Sequence, residues 1–193
     1  MPADPDGWAR GAAPAVIPDS FSTARLSAER LTSDHLPELL RMHRDPDVMA
    51  HLGGVRDAEQ TASYLERNLR HWADYGFGLW ILRELRGAEA IGRAVLRHLL
   101  VEGVDEVEVG YAFYPPFWGR GLATEVATAC LAFGRRQLSL RTMVALTSSD
   151  NLASQRVLLK AGLVYEREFV HEGAPCSLYR TRDGRSEGAD AGT

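Results

Sequence analysis

The 193-residue chain holds a single lysine, Lys160, among its 22 basic residues. The rest of its positive charge is arginine, which we read as coding bias. A phosphate loop of the G-x-x-x-x-G-K-[ST] kind needs a lysine directly after its glycines, and no glycine turn here is followed by one. The two cysteines, Cys130 and Cys176, are too few for a disulfide framework and lack zinc-ligand spacing. No metal is expected. No apolar run approaches the ~18 residues of a membrane-spanning helix. The N-terminus lacks a basic region followed by an apolar core, so no signal peptide is expected. A net charge of −4 gives no overall pull toward nucleic acid or an anionic membrane. A reducing cytoplasm is the default location.

What is present is an ordinary globular composition, 45% hydrophobic and 25% charged. The length suits one domain that buries most of its apolar surface. Residues 1–20 are rich in Pro, Gly, Ala and Asp without period and read as a disordered leader. Residues 183–193 read as a polar tail, leaving 21–182 as the domain. No internal repeat is seen.

One stretch organises the domain: Val107 to Glu125. Val107, Val109 and Tyr111 alternate with Glu108 and Gly110, the period of a strand. Pro115-Pro116 ends it, because proline offers no ladder N–H and restricts its predecessor. After Gly119-Arg120-Gly121 a helical pattern begins with Leu122, Val126, Cys130 and Phe133. A strand, a glycine turn and a helix N-terminus together make an anion site: glycine lets backbone approach closely, and the first helical N–H groups are unpaired at the positive end of the dipole. A dinucleotide fingerprint would need Gly or Ala three residues after Gly121. Thr124 stands there, and the strand that follows offers no acid for a ribose.

The remaining elements follow from period and punctuation. A short strand is expected in Ala24–Leu31. A helix capped from Thr32-Ser33-Asp34 carries Leu36, Leu39 and Leu40 and ends before Pro46. Asp45–Arg56 reads as a loop. Asp57 with Gln60 forms a capping box for a helix with Ala58, Ala62, Leu65, Leu69 and Trp72 on one face, closed by Gly76. Strands are expected over Phe77–Arg83 and Ala90–Leu99, then the central strand after Gly103. Beyond the long helix come a strand over Thr142–Thr147, a helix over Asn151–Ala161 and two strands joined at Glu172-Gly173. The class is α+β: an antiparallel run, then a right-handed parallel strand–helix–strand unit.

Trp118-Gly119-Arg120-Gly121-Leu122-Ala123 resembles the Q/R-x-x-G-x-G/A signature of GNAT-type N-acetyltransferases, with Trp118 in place of Gln or Arg. Together with Glu108-Val109-Gly110-Tyr111 and Pro115 to Glu125, it resembles the branch of ribosomal-protein N-terminal (alanine and serine) acetyltransferases, where Trp-Gly-x-Gly is common. A second motif, Asn151-Leu152-Ala153-Ser154 through Val157-Leu158-Leu159-Lys160-Ala161-Gly162-Leu163, is similar to the family's N-x-x-S-x-x-x-L-x-x-x-G-F helix, with Leu163 for Phe. The resemblance covers about Thr23–Arg182. It implies a mixed, mostly antiparallel splayed sheet of six to seven strands with flanking helices. The pantetheine of acetyl-CoA would lie in the split between the central strands.

The resemblance assigns roles residue by residue. Backbone N–H groups from Gly119, Arg120, Gly121, Leu122, Ala123 and Thr124 would hold the pyrophosphate, with Trp118 beside them and Arg120 adding charge. Phe113 would meet the pantetheine through its backbone. Asn151 is either an N-cap, a pantetheine contact or both. Ser154 is either a solvated first-turn serine or the proton donor to the leaving thiolate. Glu108 is either a surface carboxylate or the general base, and water can replace a base for an α-amine of pKa about 8. Glu172, His171 and Tyr165 read as turn or strand residues before they read as catalytic ones; His51 and His98 carry no assignment. The expected reaction is direct attack in a ternary complex. The acceptor is read as a protein or peptide N-terminal amine; alternatives are an aminoglycoside, polyamine or amino acid, or a non-catalytic acyl-CoA-binding regulatory module. Asp45–Arg56 and Ala174–Ser177 would wall the acceptor. The resemblance leaves a homodimer open.

Overall fold

The computed structural model describes residues 19–182. The expected leader, except Asp19 and Ser20, and the expected tail lie outside them. One sheet of eight strands crosses the domain, in the order β1-β2-β3-β4-β5-β6-β8-β7. The strands are β1 (Ser20–Ser22), β2 (Leu26–Arg30), β3 (Leu79–Glu84), β4 (Gly92–Val101), β5 (Val104–Phe113), β6 (Val144–Ser148), β7 (Leu163–His171) and β8 (Ala174–Thr181). The helices are α1 (Leu36–Arg44), α2 (Pro46–Met49), α3 (Ala58–Tyr75), α4 (Leu122–Gln137) and α5 (Leu152–Lys160). This is the expected α+β fold with one more strand than the upper estimate, because Ser20–Ser22 pairs with β2.

Local chemistry sets the boundaries. Asp57 Oδ1 accepts from Gln60 N at 2.8 Å and Gln60 Oε1 from Asp57 N at 3.0 Å, so the capping box of α3 closes in both directions. Gly76 ends α3 in the left-handed region at φ +71°. Two expectations are corrected. Thr32 caps a short 3-10 turn, Ser33–His35, rather than α1 itself. Pro46 does not merely end α1: it sits at the first position of α2, where its missing N–H costs nothing, and Asp45 caps that turn through Asp47 N and Val48 N.

The sheet divides the core. One face of β5 (Val107, Val109, Phe113) packs with Leu122, Val126 and Cys130 of α4 and Leu158 of α5. The other face carries Ala112 against Met42, Val48 and Met49 of α1 and α2, while α1 and α3 cover β3 and β4 through Leu39, Leu65, Ile81 and Val95. Gly134 is the close-approach point of α4, since a Cβ there would stand 2.3 Å from the Met143 sulfur. Antiparallel pairing is continuous from β1 to β5, and again through β6, β8 and β7. The halves meet at one parallel pairing, Glu108 with Val144. Beyond it, β5 and β6 part.

His43, fully buried, and His71, half-buried, make the fold acid-sensitive. Burial, then the charges of Arg93 and Arg56, hold His43 down to about 3; burial foremost holds His71 down to about 4. The unfolded chain, with histidine near 6.5, takes up protons that the fold refuses. Stability is therefore full above about pH 6.5 and lost as pH falls toward those folded values, by about 2 kcal/mol per histidine at about pH 5. Replacing His43 with Gln, which keeps a partner for the Thr61 hydroxyl that His43 meets at 3.1 Å, should halve the drop seen in denaturant melts between about pH 7 and about pH 5. An equal drop in both proteins would rule out His43 as a source.

Candidate functional site

The glycine turn stands at the open end of the split. β5 stops at Phe113, and Pro115–Phe117 form a single 3-10 turn. Gly119 and Gly121 both adopt positive φ, +71° and +77°, a region costing a side-chain-bearing residue roughly 1–2 kcal/mol. The turn leads directly into α4. Among the described residues, no acceptor meets the backbone N–H groups of Gly119 through Thr124. Six unpaired donors at the positive end of a four-turn helix form a cradle for a pyrophosphate-sized anion. A Cβ on Gly119 would meet nothing within 4 Å, so the cradle is open there.

The turn is braced from behind. Glu125, in the first turn of α4, accepts from Thr23 Oγ1, from Arg25 N at 2.8 Å and from Arg25 Nε at 2.7 Å. Arg25 Nη1 also donates to the Arg120 carbonyl at 2.7 Å. The Arg120 side chain lies over Phe117 and pairs with Glu84 at 2.6 Å. Its charge near the cradle is thus partly offset, a smaller contribution than the sequence suggested.

The open edge of β5 has defined chemistry. Tyr114 N donates to Ile91 O, which fixes the alternation along the antiparallel pair. Even-numbered residues of β5 bond to β4, and Tyr111 and Phe113 turn their backbone groups to the split. Trp118 closes the end of this edge: its indole N–H donates to the Phe113 carbonyl at 2.7 Å. Trp118 therefore acts on the strand as well as the turn, and Phe113 keeps its N–H for the split.

Asn151 and Ser154 lie across the split from Tyr111. Asn151 Oδ1 accepts from Ser154 N at 3.0 Å, so the N-cap reading of Asn151 holds. Ser154, in the first turn of α5, is half-buried and its Oγ stands 2.9 Å from the Tyr111 hydroxyl. Burial pushes the Tyr111 phenol up to about 12, although the Ser154 hydrogen bond pulls the other way. The phenol therefore keeps its proton throughout the neutral range and can resupply Ser154.

Glu108 sits at the apex of the split, 7% exposed, on the face opposite the α4 core. It is not a surface carboxylate. Arg97, directly across the β4–β5 ladder, donates Nε to Glu108 Oε2 at 2.6 Å, and this partner raises the Arg97 pKa. Of the expected acceptor walls, Asp45–Arg56 covers this same face of β5 through Val48, Met49 and Leu52. Within the other, Ser177 is buried and Ala174 exposed. Glu172 and Tyr165 are exposed, and Glu172 forms the hairpin turn at φ +50°. His51 Nδ1 lies 3.0 Å from Ser148 Oγ and 3.4 Å from Asp150 Oδ1. A serine triad needs the serine and the carboxylate on different imidazole nitrogens, and here one nitrogen meets both. Burial pushes the Cys130 thiol up to about 12, so neither group makes an acyl-enzyme nucleophile. Among the described residues no cluster of His, Cys, Asp and Glu could hold a metal ion, and no helix is long and apolar enough to cross a membrane.

A sheet split beside a glycine turn and a helix start is an arrangement that could hold a phosphate-bearing ligand with its chain along the open strand. The family profile described as "Acetyltransferase (GNAT) domain" matches residues 25–164, and the chain belongs to that family. A Bacillus subtilis protein, YkkB, uncharacterised, is 33% identical over 73% of this chain and 82% of its own. The FsC-acetyl coenzyme A-N(2)-transacetylase of Aspergillus fumigatus is 28% identical over 79% of this chain and 68% of its own. In fold, the chain resembles RimL, a ribosomal L7/L12 alpha-N-protein acetyltransferase solved with coenzyme A: TM-score 0.68, 17% identity, 82% of this chain and 94% of that one.

Sequence reasoning gave no role to the side chains of Tyr111, Arg97 and Arg25. Arg97 was within reach: the turn at Glu102-Gly103 fixes the β4–β5 register and sets Arg97 opposite Glu108. Tyr111 and Ser154 are 43 residues apart, and no local pattern joins them. The cradle makes one direct prediction. Gly121→Glu should cut acetyl-CoA affinity by about a hundredfold or more in calorimetry. The fold should lose only the roughly 1–2 kcal/mol of a strained backbone. Full affinity in a folded variant would remove the turn from the donor site.

Proposed function

We propose that the protein transfers the acetyl group of acetyl-CoA to a primary amine by direct attack, and that the acceptor is the N-terminal amine of a protein or peptide. The observation that carries the donor half is the row of unpaired N–H groups from Gly119 to Thr124, set beside the open β5 edge. The pyrophosphate takes the cradle. The pantetheine runs along the β5 edge, pairing with Tyr111 and bringing the thioester carbonyl to the Phe113 N–H, and Asn151 borders the same channel. Trp118 keeps the edge in register with the turn.

The neutral amine attacks the thioester carbon and a C–N bond forms. The carbonyl oxygen becomes an oxyanion, for which the Phe113 N–H is a donor. As the C–S bond breaks, Ser154 Oγ–H gives its proton to the sulfur and recovers one from the Tyr111 hydroxyl, which in turn takes a proton from water. The proton lost by the amine leaves through Glu108 Oε1, directly or by way of water, while Arg97 holds Oε2. An α-amine of pKa about 8 and a thiol of pKa about 8.5 put modest demands on both proton steps.

The peptide reading draws on the resemblance to the N-terminal acetyltransferase branch and on RimL, which acts on a protein α-amine by its own description. Small amines remain the second reading, in view of the Aspergillus relative. The donor is tested by thermal unfolding with acetyl-CoA beside NAD and ATP. At ~100 Kd, binding adds about 2.7 kcal/mol, or roughly 5–10 °C. Thiol release with a panel of peptides and small amines then separates an enzyme from a module that only binds acyl-CoA. A shift with NAD or ATP alone would overturn the donor assignment.

The proton relay has its own test. Ser154→Ala and Tyr111→Phe should each lower kcat by about ten- to a hundredfold, the low end of acid–base effects because thiolate leaves readily. The double variant should cost little more than either single one, since the pair acts as a unit. The Kd of acetyl-CoA should stay the same. Undiminished kcat in both single variants would remove the relay.

A further inference from the structure

The face of β4 and β5 that carries Glu108 has more positive charge than it can satisfy. Arg93 is 6% exposed. It lies opposite Ala112 in the ladder, four residues along β4 from Arg97 and on the same side of the sheet. Its Nη1 donates to the Tyr64 hydroxyl at 2.8 Å, and its Nε has no partner. Arg56, half-buried at the end of the Asp45–Arg56 wall, stacks over the same Tyr64 ring at 5.0 Å, and Arg93 lies 5.3 Å from it. The Arg56 guanidinium gives its hydrogen bonds to the Leu52 carbonyl and to His43, not to an acid. Burial, then Arg93, push the Arg56 pKa down, with Arg67 and Arg97 adding to the effect. The acids that face this group are Glu108, already held by Arg97, and Glu172 on the β7–β8 turn, which acts on Arg97 from a distance.

Burying a guanidinium with no carboxylate costs several kcal/mol unless an anion compensates it. Arg93 is such a group: its Nη1 bonds the Tyr64 hydroxyl, its Nε bonds nothing, and among the described residues no acid forms an ion pair with it. Arg93 Nε is sealed from solvent, so its uncompensated charge lies beneath the site, and the exposed third of the Arg97 side chain supplies the donors for a planar or tetrahedral oxyanion, the geometry that guanidinium forks match. Glu108 lies on this face, so an amine brought to it meets these arginines at once.

We infer that Arg56, Arg93 and Arg97, gathered around Tyr64, form an acceptor subsite for an anionic group, so that the preferred acceptor is an amine carrying a carboxylate or phosphate a few atoms from the reacting nitrogen. The inference rests on the acetyltransferase reading and sharpens its acceptor. Neutralising Arg93 supplies what the fold lacks, and the same contact fixes the amine beside Glu108. Polyamines and aminoglycosides, which bring only further positive charge, are disfavoured by the same field.

The test uses matched acceptors. Serine-initiated tripeptide amides carry alanine, aspartate or phosphoserine at the second position, and free aspartate is compared with its diamide. Rates of thiol release are measured for the wild type, for Arg56→Gln and for Arg93→Lys. The acidic member of each pair should exceed its neutral partner in kcat/KM by roughly ten- to a hundredfold, the worth of one charge-assisted hydrogen bond. The carboxylate and phosphate arms identify which anion fits. Arg56→Gln should shrink that ratio several-fold, and Arg93→Lys, which keeps the charge but loses the fork, should shrink it less. Acetyl-CoA affinity, measured in the same preparations, reports on the donor site separately. If no amine turns over, the same compounds are tested for raising the Tm of the protein saturated with coenzyme A. A shift by acidic members only, lost in Arg56→Gln, supports the subsite and places the failure in the catalytic reading. Equal or greater rates with neutral amines, or no shift by acidic ones when nothing turns over, would overturn the subsite.

Discussion

The two halves of the sheet are joined by one parallel pairing, between Glu108 and Val144, and the working geometry depends on that single junction. A sheet of this size ordinarily continues its ladder along both strands. Here β5 keeps full pairing with β4 on one side and gives up β6 on the other after one step. α4 and α5 pack from the same side, and the core formed by Leu122, Val126, Met143 and Leu158 holds the halves apart. The result is a wedge of unpaired backbone inside a folded domain, whose N–H and C=O groups call for water or a ligand with amide groups as partners.

Charge is sorted about this wedge. Toward α4 and α5 the groups are neutral donors: backbone N–H groups, a serine and a phenol held protonated by burial. Toward α1–α3 the groups are ionic, with Arg97 and Glu108 paired at the apex and further arginines above them. A phosphate-bearing donor and an amine acceptor need different surroundings, and the sheet itself is the partition between them. Glu108 belongs to the ionic face but sits at the one residue where both halves of the sheet meet.

Much of this was legible because it is local. The glycine turn, the capping box of α3 and the N-cap at Asn151 depend on residues within a few positions of each other, and each stands as the sequence implied. Pro46 misled because proline ends one helix and begins another with equal ease; only the Asp45 cap distinguishes the two. The ionic face toward α1–α3 was not legible. Arg56, Tyr64, Arg93 and Glu108 come from a loop, a helix and two strands, and each is an unremarkable residue in its own segment. Their importance lies in burial, which turns four scattered side chains into one electrostatic unit.

The indole of Trp118 has a consequence for self-association. An unpaired strand edge is a template on which a strand from another chain can add, and sheet proteins guard against it by shortening or blocking such edges. The open edge of β5 is bounded below by the pairing at Glu108 and above by the bond from Trp118 to the Phe113 carbonyl. Between these stops lie five residues, Val109–Phe113, about 17 Å of chain, of which alternate residues alone face the gap. Two stops in so short a run leave too few hydrogen bonds to recruit a foreign strand, yet enough for a ligand with two amides. The same tryptophan that sets the register of the site thus keeps the gap from nucleating aggregates.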